Sequence, residues 1–248
     1  MKKYPKELFY IGDSSLLFKK KVSIVGTRRP FGYTKEMTFK IAKELSDRGV
    51  VIVSGAAMGV DALAHSGAGA KNTIAVMGNS LDIRYPVVNK GLIEEIEKKG
   101  LVLSLYEKNF KATKWSFVIR NEIVVALGEV LIVPQADLKS GTMRSVEFAL
   151  EMGKEIFVLP HRLGESEGTN YLLKNNLAEP IFDIKDFADQ FGVKKDSDKE
   201  KKDLKDPFLI YLSTNPSYEE AVKKYKDRIF EAELEGIIEI VNGKIKLL

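Results

Sequence analysis

The sequence predicts an α/β protein with a doubly wound, mainly parallel sheet, followed by a small C-terminal winged-helix domain. Six short, nearly continuous apolar runs alternate with helical stretches, which is typical of parallel strands buried on both faces. A highly charged segment then separates this α/β region from the end of the chain. The predicted divisions are a lead-in over 1–20, the α/β domain over 21–192, a charged linker over 193–207 and the winged-helix domain over 208–248.

The alternation of strands and helices begins after the lead-in. Apolar residues at helical spacing predict helices between the strands, at about 33–48, 59–69, 87–99, 115–127 and 141–152. The strands are predicted at 22–26, 50–55, 73–78, 101–106, 130–134 and 155–160. Sheets of this kind bind ligands beyond the carboxyl ends of their strands, so the loops that follow these strands are the candidate site.

The regions outside the α/β domain have different compositions. In the lead-in, Leu16, Leu17 and Phe18 are expected to cover an edge of the domain, and the linker has many charges and few apolar residues. The C-terminal domain is predicted as three helical segments and a hairpin around Asn242-Gly243. The sequence leaves open whether this domain contacts DNA or a protein partner.

Composition excludes several kinds of site. The 248 residues include 39 basic and 35 acidic ones, so a nucleic-acid site must come from a local cluster of cations. No cysteine is present and there are two histidines, so we expect neither a metal site nor a cofactor. No apolar run approaches the roughly 20 residues of a membrane helix, and no signal peptide is evident, which predicts a cytoplasmic protein without membrane contact.

The stretch KVSIVGTRRP at 21–30 is the strongest candidate for anion binding. A strand ends at Gly26 and is followed by the Thr27 hydroxyl and the guanidinium groups of Arg28 and Arg29. Such a loop can offer N–H groups, a hydroxyl and paired guanidinium donors to a phosphate. The alternative is a strand end with two solvated arginines. Arg28 is the first choice for a phosphate contact, whereas Arg29 either contacts phosphate or pairs with an acidic side chain.

The second strand ends differently from that of a dinucleotide-binding protein. The Gly-X-Gly-X-X-Gly pattern is missing after the first strand, and Ser54 stands where an acidic residue would hold a ribose. Both differences argue against NAD binding. Ser54 and Gly55 are expected to line the same groove as Arg28 through their backbone N–H groups.

Two further segments carry candidate ligand-binding residues. In KWSF, Lys114 is expected to neutralise phosphate and Phe117 to stack on a base. The alternative is that Trp115 and Phe117 are both core anchors, and Trp115 is expected to pack in the core. Lys139, Ser140, Gly141 and Thr142 precede a helix whose free N–H groups could hold a phosphate, although a plain capped helix would need the same residues. His65 is expected to be a hydrogen-bonded core histidine.

The motifs GTRRP, SGAAMGVDALAH, TIAVMGNSLDIRYP, WSFVIRNEIVVAL, PQADLKSGT and ALEMGKEIFVLP occur in that order. With them the chain resembles the DNA-processing protein A (DprA/Smf) family from about residue 4 to 191. The resemblance implies a Rossmann-like domain that binds single-stranded DNA without sequence preference and forms homodimers. It also implies protection of incoming DNA and help in loading the RecA recombinase during natural transformation.

The resemblance adds Arg120 and Asn121 to the predicted DNA-binding residues and shows three departures. Glu122 replaces the last cation of the family's RNR triplet, and Met58 stands where an arginine is usual. The usual SGS is Ser140-Gly141-Thr142, which keeps the hydroxyl. Some DNA contacts of other members are therefore expected to be missing or relocated.

Two alternatives to DNA binding remain at this stage. The segment GTMRSVEFAL is faintly similar to a motif of nucleoside-monophosphate phosphoribohydrolases, which act through a glutamate shortly after Gly-Thr; here Glu147 is five residues beyond Thr142. No convincing pair of nucleophile and base is present, so we expect no enzymatic activity. The other alternative is a protein-interaction module that uses the winged helix as its contact.

Overall fold

The structure is a computed structural model that describes residues 5, 7–193, 207–234, 237–241 and 243–247. The chain divides into two compact units, Met1–Lys195 and Asp196–Leu248. Most of the predicted linker, residues 194–206, lies outside the described residues, as does Asn242 of the predicted hairpin turn.

The first unit contains one eight-stranded sheet in which all neighbouring strands are parallel except the pair formed by β1 and β5. The order across the sheet is β1-β5-β4-β3-β2-β6-β7-β8. The prediction of a mainly parallel, Rossmann-like α/β sheet is confirmed. The strands are β1 (Phe9–Gly12), β2 (Lys21–Ile24), β3 (Val51–Ser54), β4 (Thr73–Met77), β5 (Leu101–Ser104), β6 (Leu131–Val133), β7 (Ile156–Val158) and β8 (Glu179–Pro180).

The two edge strands were not predicted. β1 lies within the lead-in, where Tyr10 pairs with Leu103 in the antiparallel direction, and only its first residue is partly buried. β8 has two residues, one of them a proline, which is tolerated at a sheet edge. In the lead-in Leu16 is fully buried as expected, but Phe18 is 91% exposed and covers nothing.

Seven helices lie in the described part of the first unit. The predicted helix at 87–99 begins as one turn of 3-10 helix, Val87–Asn89, and two helices beyond residue 160 were not predicted. None of the helices in the described ranges is long and apolar enough to cross a membrane. The seven are α1 (Gly32–Asp47), α2 (Val60–Ala68), α3 (Lys90–Lys99), α4 (Lys114–Leu127), α5 (Gly141–Glu151), α6 (Glu167–Lys174) and α7 (Ile184–Asp189).

The helices cover both faces of the sheet, which explains the nearly continuous apolar strands. On β3, Val51 and Val53 pack with residues of α4, α5 and α6, while Ile52 between them packs with residues of α1, α2 and α7. α3 packs on the same face as α1 and α2, against β4 and β5. The central strands are therefore buried on both faces, and apolar residues occupy most of their positions instead of every second one.

The strand order reverses between β2 and β6. After β2 the chain builds the sheet outward through β3, β4 and β5, and it then returns to place β6 on the other side of β2. Consecutive crossovers diverge at this point and leave a crevice at the carboxyl ends of the two strands.

The described part of the second unit contains three helices and a hairpin in the predicted order. They are α8 (Pro207–Leu212), α9 (Tyr218–Tyr225), α10 (Asp227–Leu234), β9 (Ile238–Val241) and β10 (Lys244–Leu247). Ser217 Oγ caps α9 by accepting the N–H of Glu220. The hydrophobic core of this unit includes Phe208, Leu212, Ile229 and Ile245. Its assignment as a winged helix stays a prediction.

His65 is a fully buried histidine with both ring nitrogens hydrogen-bonded, as expected. Thr73 donates its hydroxyl proton to the Ile52 carbonyl, so its oxygen accepts the Nδ1–H of His65 at 2.6 Å. Nε2 accepts the N–H of Ala56 at 3.3 Å. This arrangement requires a neutral ring, and burial together with the charge of Arg120 lowers the pKa of His65 from 6.5 to about 3.

We predict that His65 makes the protein less stable as the pH falls. Between pH 6.5 and about 3 the unfolded chain binds a proton at His65 that the folded chain does not. The free energy of unfolding should therefore fall by up to about 1.4 kcal/mol per pH unit in this window, beyond the effect of the carboxylates. Urea unfolding of the wild type and of His65→Gln at pH 5 and pH 7 measures this difference. Equal pH dependence in the two proteins would contradict the assignment.

Candidate nucleic-acid interface

A cleft of about 320 Å³ lies at the carboxyl ends of β2 and β6, where the strand order reverses. Four segments form it: the loop after β2, the start of α2 with the loop before it, the first two turns of α4 and the start of α5. We call it the central cleft. Its lining residues are Val25, Gly26, Thr27, Arg28, Ala57, Asp61, Lys114, Phe117, Val118, Arg120, Asn121, Gly141, Thr142 and Ser145.

Backbone hydrogen bonds fix the loop that carries Arg28. The N–H of Thr27 donates to the Gln135 carbonyl at 2.9 Å, and the side-chain oxygen of Gln135 accepts the N–H of Phe31 at 3.0 Å. On the other side, the N–H of Val60 donates to the Thr27 carbonyl at 3.1 Å. The loop is thus held by the segment after β6 and by the start of α2, and it presents an exposed Arg28 from a fixed backbone.

A capping box fixes the start of α4. Thr113 Oγ1 accepts the N–H of Ser116, and Ser116 Oγ accepts the N–H of Thr113. Ser116 Oγ also donates to the Gly78 carbonyl at 2.7 Å, which ties the helix to the end of β4. Lys114 is the first residue of the helix, and no acidic residue lies in its first turn.

The Phe117 ring has two guanidinium groups beside it. Arg28 lies 5.8 Å and Arg120 lies 5.6 Å from its centroid, within the range of a cation–π interaction. Tyr85 is a further neighbour, with its ring centroid 6.0 Å away. A Cβ atom on Gly78 would come within 2.6 Å of the Phe117 ring, so this close approach requires glycine.

Arg120 is buried beneath the cleft and is only 4% exposed. Its guanidinium group donates to the carbonyls of Gly55 and Val76, and to Asn121 Oδ1 at 3.0 Å. The carboxylate that opposes it is Asp61, which is also buried. Burial lowers the pKa of Arg120 and raises that of Asp61, and the attraction between the two charges opposes both shifts. Arg120 therefore holds protein backbone in place.

The start of α5 has no side-chain cap. Ser140 occupies the N-cap position, but its hydroxyl does not accept a hydrogen bond from the helix. The Oγ atoms of Ser140 and Ser145 are buried and have no hydrogen-bond partner among the described residues. Gly141, Thr142 and Ser145 line the cleft, so the first-turn N–H groups of α5 begin at its wall. Helix α5 is therefore not the plain capped helix that was the alternative interpretation of its sequence.

The structure brings most of the predicted site residues together. Gly55 lines a small cavity that adjoins the central cleft and shares Arg28 and Phe117 with it. The predicted residues that line the central cleft itself are Gly26, Thr27, Arg28, Lys114, Phe117, Arg120, Asn121, Gly141 and Thr142.

Four further predicted residues line neither the central cleft nor the small cavity beside it. Arg29 lines a separate cavity together with Arg28 and Lys35. Ser54 is fully buried and donates its hydroxyl to the Ile24 carbonyl at 2.6 Å, so its side chain joins β3 to β2. Lys139 is exposed on the turn before α5, and Ser140 begins that helix; neither belongs to the lining.

The prediction that Trp115 packs in the core is wrong, because its side chain is 68% exposed. Sequence reasoning also missed the contributions of Asp61 and Ser145 to the cleft. Asp61 gave a weak signal as an acidic residue in the first turn of a helix after a strand end. Nothing in the sequence connects it to Arg120.

The glutamate required by the phosphoribohydrolase alternative is placed elsewhere. Glu147 forms an ion pair with Arg144 at 2.6 Å on an exposed part of α5 and does not line the cleft. Met58, which stands where the family usually has an arginine, is 44% exposed and lines the small cavity beside Tyr85. An apolar side chain therefore lines the small cavity at the position where the family usually has a cation.

Comparison with known proteins shows the family of the chain. The family model of DNA recombination-mediator protein A matches residues 1–192, which is the α/β domain and its lead-in. The chain belongs to this family. The matched residues include every segment that lines the cleft.

Two solved structures of family members are similar to this chain. DNA processing protein A from Helicobacter pylori, in a structure that describes its single-stranded DNA binding mode, is 49% identical with a TM-score of 0.75, covering 77% of this chain and 88% of that one. The Streptococcus pneumoniae protein is 35% identical with a TM-score of 0.70, covering 75% and 66%. The DprA protein of Bacillus subtilis is 38% identical over 162 residues, 64% of this chain and about half (54%) of that protein's length.

We predict that the buried charge of Asp61 depends on Arg120. The substitution Arg120→Met removes the cation that attracts this carboxylate and leaves the carbonyls of Gly55 and Val76 without their donor, which should lower the free energy of unfolding by about 1–3 kcal/mol. Asp61→Asn in the same chain should recover part of this loss. Denaturant unfolding of both single variants and the double variant gives the coupling between the two residues. Additive effects would show that the two side chains do not interact.

Proposed function

We propose that this protein binds single-stranded DNA through the central cleft, without preference for base sequence. The observation that carries the proposal is the Phe117 ring, which lies beside Arg28 in a cleft that also begins at the uncapped N-terminus of α5. An aromatic ring, cations and free N–H groups are together the chemistry that suits an unpaired polynucleotide.

The bases are proposed to stack on Phe117. Every base has a π face, so stacking contributes affinity, about 1–3 kcal/mol per base, without selecting a sequence. The polar side chains near the ring offer little base-specific hydrogen bonding, because Asn121 Oδ1 accepts from Arg120 and Arg120 donates to backbone carbonyls. Duplex DNA should bind less well, since its bases are already stacked and cannot reach the ring.

The phosphates are proposed to lie against Arg28, Lys114 and the start of α5. Neither Arg28 nor Lys114 forms an ion pair with another residue in the described part of the chain. Helix N-termini bind anions through their free N–H groups and the helix dipole. A phosphate oxygen near Ser145 would also supply the hydrogen-bond partner that its buried hydroxyl lacks within the described residues.

The wider role is proposed from the family. The similarity to the Helicobacter pylori protein, whose structure describes single-stranded DNA binding, supports the same ligand here. The resemblance further supports a cytoplasmic homodimer that protects incoming DNA and helps load RecA during natural transformation. In this role the protein binds DNA without chemical turnover and without a cofactor.

We predict that Arg28 and Lys114 contribute affinity for every sequence alike. The double variant Arg28→Gln/Lys114→Gln should bind oligo-dT and oligo-dA more weakly by similar factors. Its logarithmic salt dependence should be shallower by about 0.7 for each phosphate that the variant no longer neutralises. Fluorescence anisotropy with labelled oligonucleotides at several salt concentrations measures both quantities.

Lys71→Gln is the matched control for this experiment. Lys71 is exposed and precedes β4, so it lies at the end of the sheet opposite the central cleft. The control should retain wild-type binding and salt dependence. A change in base preference with unchanged affinity in the double variant would contradict the proposal.

We predict that Phe117 is responsible for the preference for single strands. Phe117→Ala should weaken binding of an oligonucleotide about 5- to 150-fold, which corresponds to one stacked base. Phe117→Tyr keeps the ring and should bind within a few-fold of the wild type. The loss should be much smaller for a duplex of the same length. Competition binding measures this difference, and an equal loss for both forms of DNA would exclude stacking on this ring.

A further inference from the structure

We propose that Trp115 is a second base-stacking residue, which extends the DNA path out of the central cleft and around the start of α4. This inference rests on the proposed function and concerns a residue outside the cleft lining. It requires an exposed ring, positive charge beside that ring and a continuous path from Phe117.

The exposure of Trp115 is unusual for its side chain. A tryptophan is large and apolar and is normally well buried, yet this one is 68% exposed in the second position of α4. Val118, one turn further along the helix, is also partly exposed at 38% and lines the cleft. The apolar surface therefore continues from the cleft toward the indole.

Positive charge accumulates at this helix start. Lys114 occupies the first position of α4, where the helix dipole disfavours a cation, and the first turn has no acidic residue to offset it. Lys111 is exposed three residues earlier. Neither lysine forms an ion pair with a residue that the structure describes. A phosphate at this position would offset both charges and the dipole.

Helix geometry indicates the path of the DNA strand from Phe117 to Trp115. Successive residues are turned by about 100° around the axis, so Trp115 and Phe117 lie on opposite flanks of α4 with Lys114 between them at the helix start. A strand that leaves Phe117 and crosses the end of the helix passes Lys114 before it reaches Trp115. The helix is about 10 Å across, so a few nucleotides span the distance. The proposed occupant is thus the same DNA strand, continued.

Trp115 is the only tryptophan in the chain, so its fluorescence reports on this position alone. Titration of the full chain with oligo-dT of increasing length should quench the emission once the oligonucleotide is long enough to leave the cleft. Trp115→Ala should weaken binding of the longer oligonucleotides about 5- to 100-fold and leave the shortest ones unaffected. Trp115→Phe, which retains a ring, should bind close to the wild type.

Phe18→Ala is the matched control, because Phe18 is an aromatic side chain that is 91% exposed and precedes β2, at the end of the sheet opposite the cleft. It should not change DNA affinity. Binding that depends on Phe117 but neither quenches Trp115 nor weakens in Trp115→Ala would overturn this inference and leave the proposed function standing. A fluorescence change with protein concentration alone would also overturn it, since it would place Trp115 in a contact between copies. Failure of any oligonucleotide to bind would overturn the proposed function itself.

Discussion

The central cleft depends on one buried cation. The guanidinium group of Arg120 reaches from α4 to the carbonyls of Gly55 and Val76, so it joins the helix to the carboxyl ends of β3 and β4. A Cβ atom on Gly55 would lie 2.4 Å from this group, so the backbone approaches it as closely as glycine alone permits. Asp61 balances the charge from α2. Because these groups are satisfied within the fold, the ring of Phe117 above them is held in place before any ligand arrives.

Two arginines of the same site have different roles, because one is buried and the other is exposed. Arg120 is removed from solvent and its donors are used by the backbone, whereas Arg28 is exposed on a loop that its neighbours hold rigidly. Both guanidinium groups lie within 6 Å of the Phe117 centroid, so the ring is a shared boundary between a structural cation and a solvent-accessible one. Binding energy from the exposed arginine is then available without reorganisation of the buried one.

The sequence predicted the strands that are buried on both faces, but it did not predict the strands that are only partly buried. Central strands covered on both faces are mostly apolar runs, and the rule that ligands bind at their carboxyl ends predicts the place of Arg28. Lys114 and Phe117 were predicted from a cation beside aromatic rings and from the family resemblance. β1 and β8 escape prediction because a short edge strand has neither two buried faces nor a clear alternation. Trp115 was assigned to the core by its hydrophobicity, although its position on the helix turns it to solvent. The electrostatic interaction of Asp61 with Arg120 joins residues far apart in the chain, and no local pattern encodes it.

The antiparallel strand β1 has a consequence for how the chain is made. Its partner β5 begins at Leu101, so Phe9–Gly12 has no sheet to join until some ninety further residues have left the ribosome. The parallel strands β2, β3 and β4 are complete before that point. The first strand in the chain therefore pairs only after β2, β3 and β4 have been made, and it forms one edge of the sheet while β6, β7 and β8 have still to emerge.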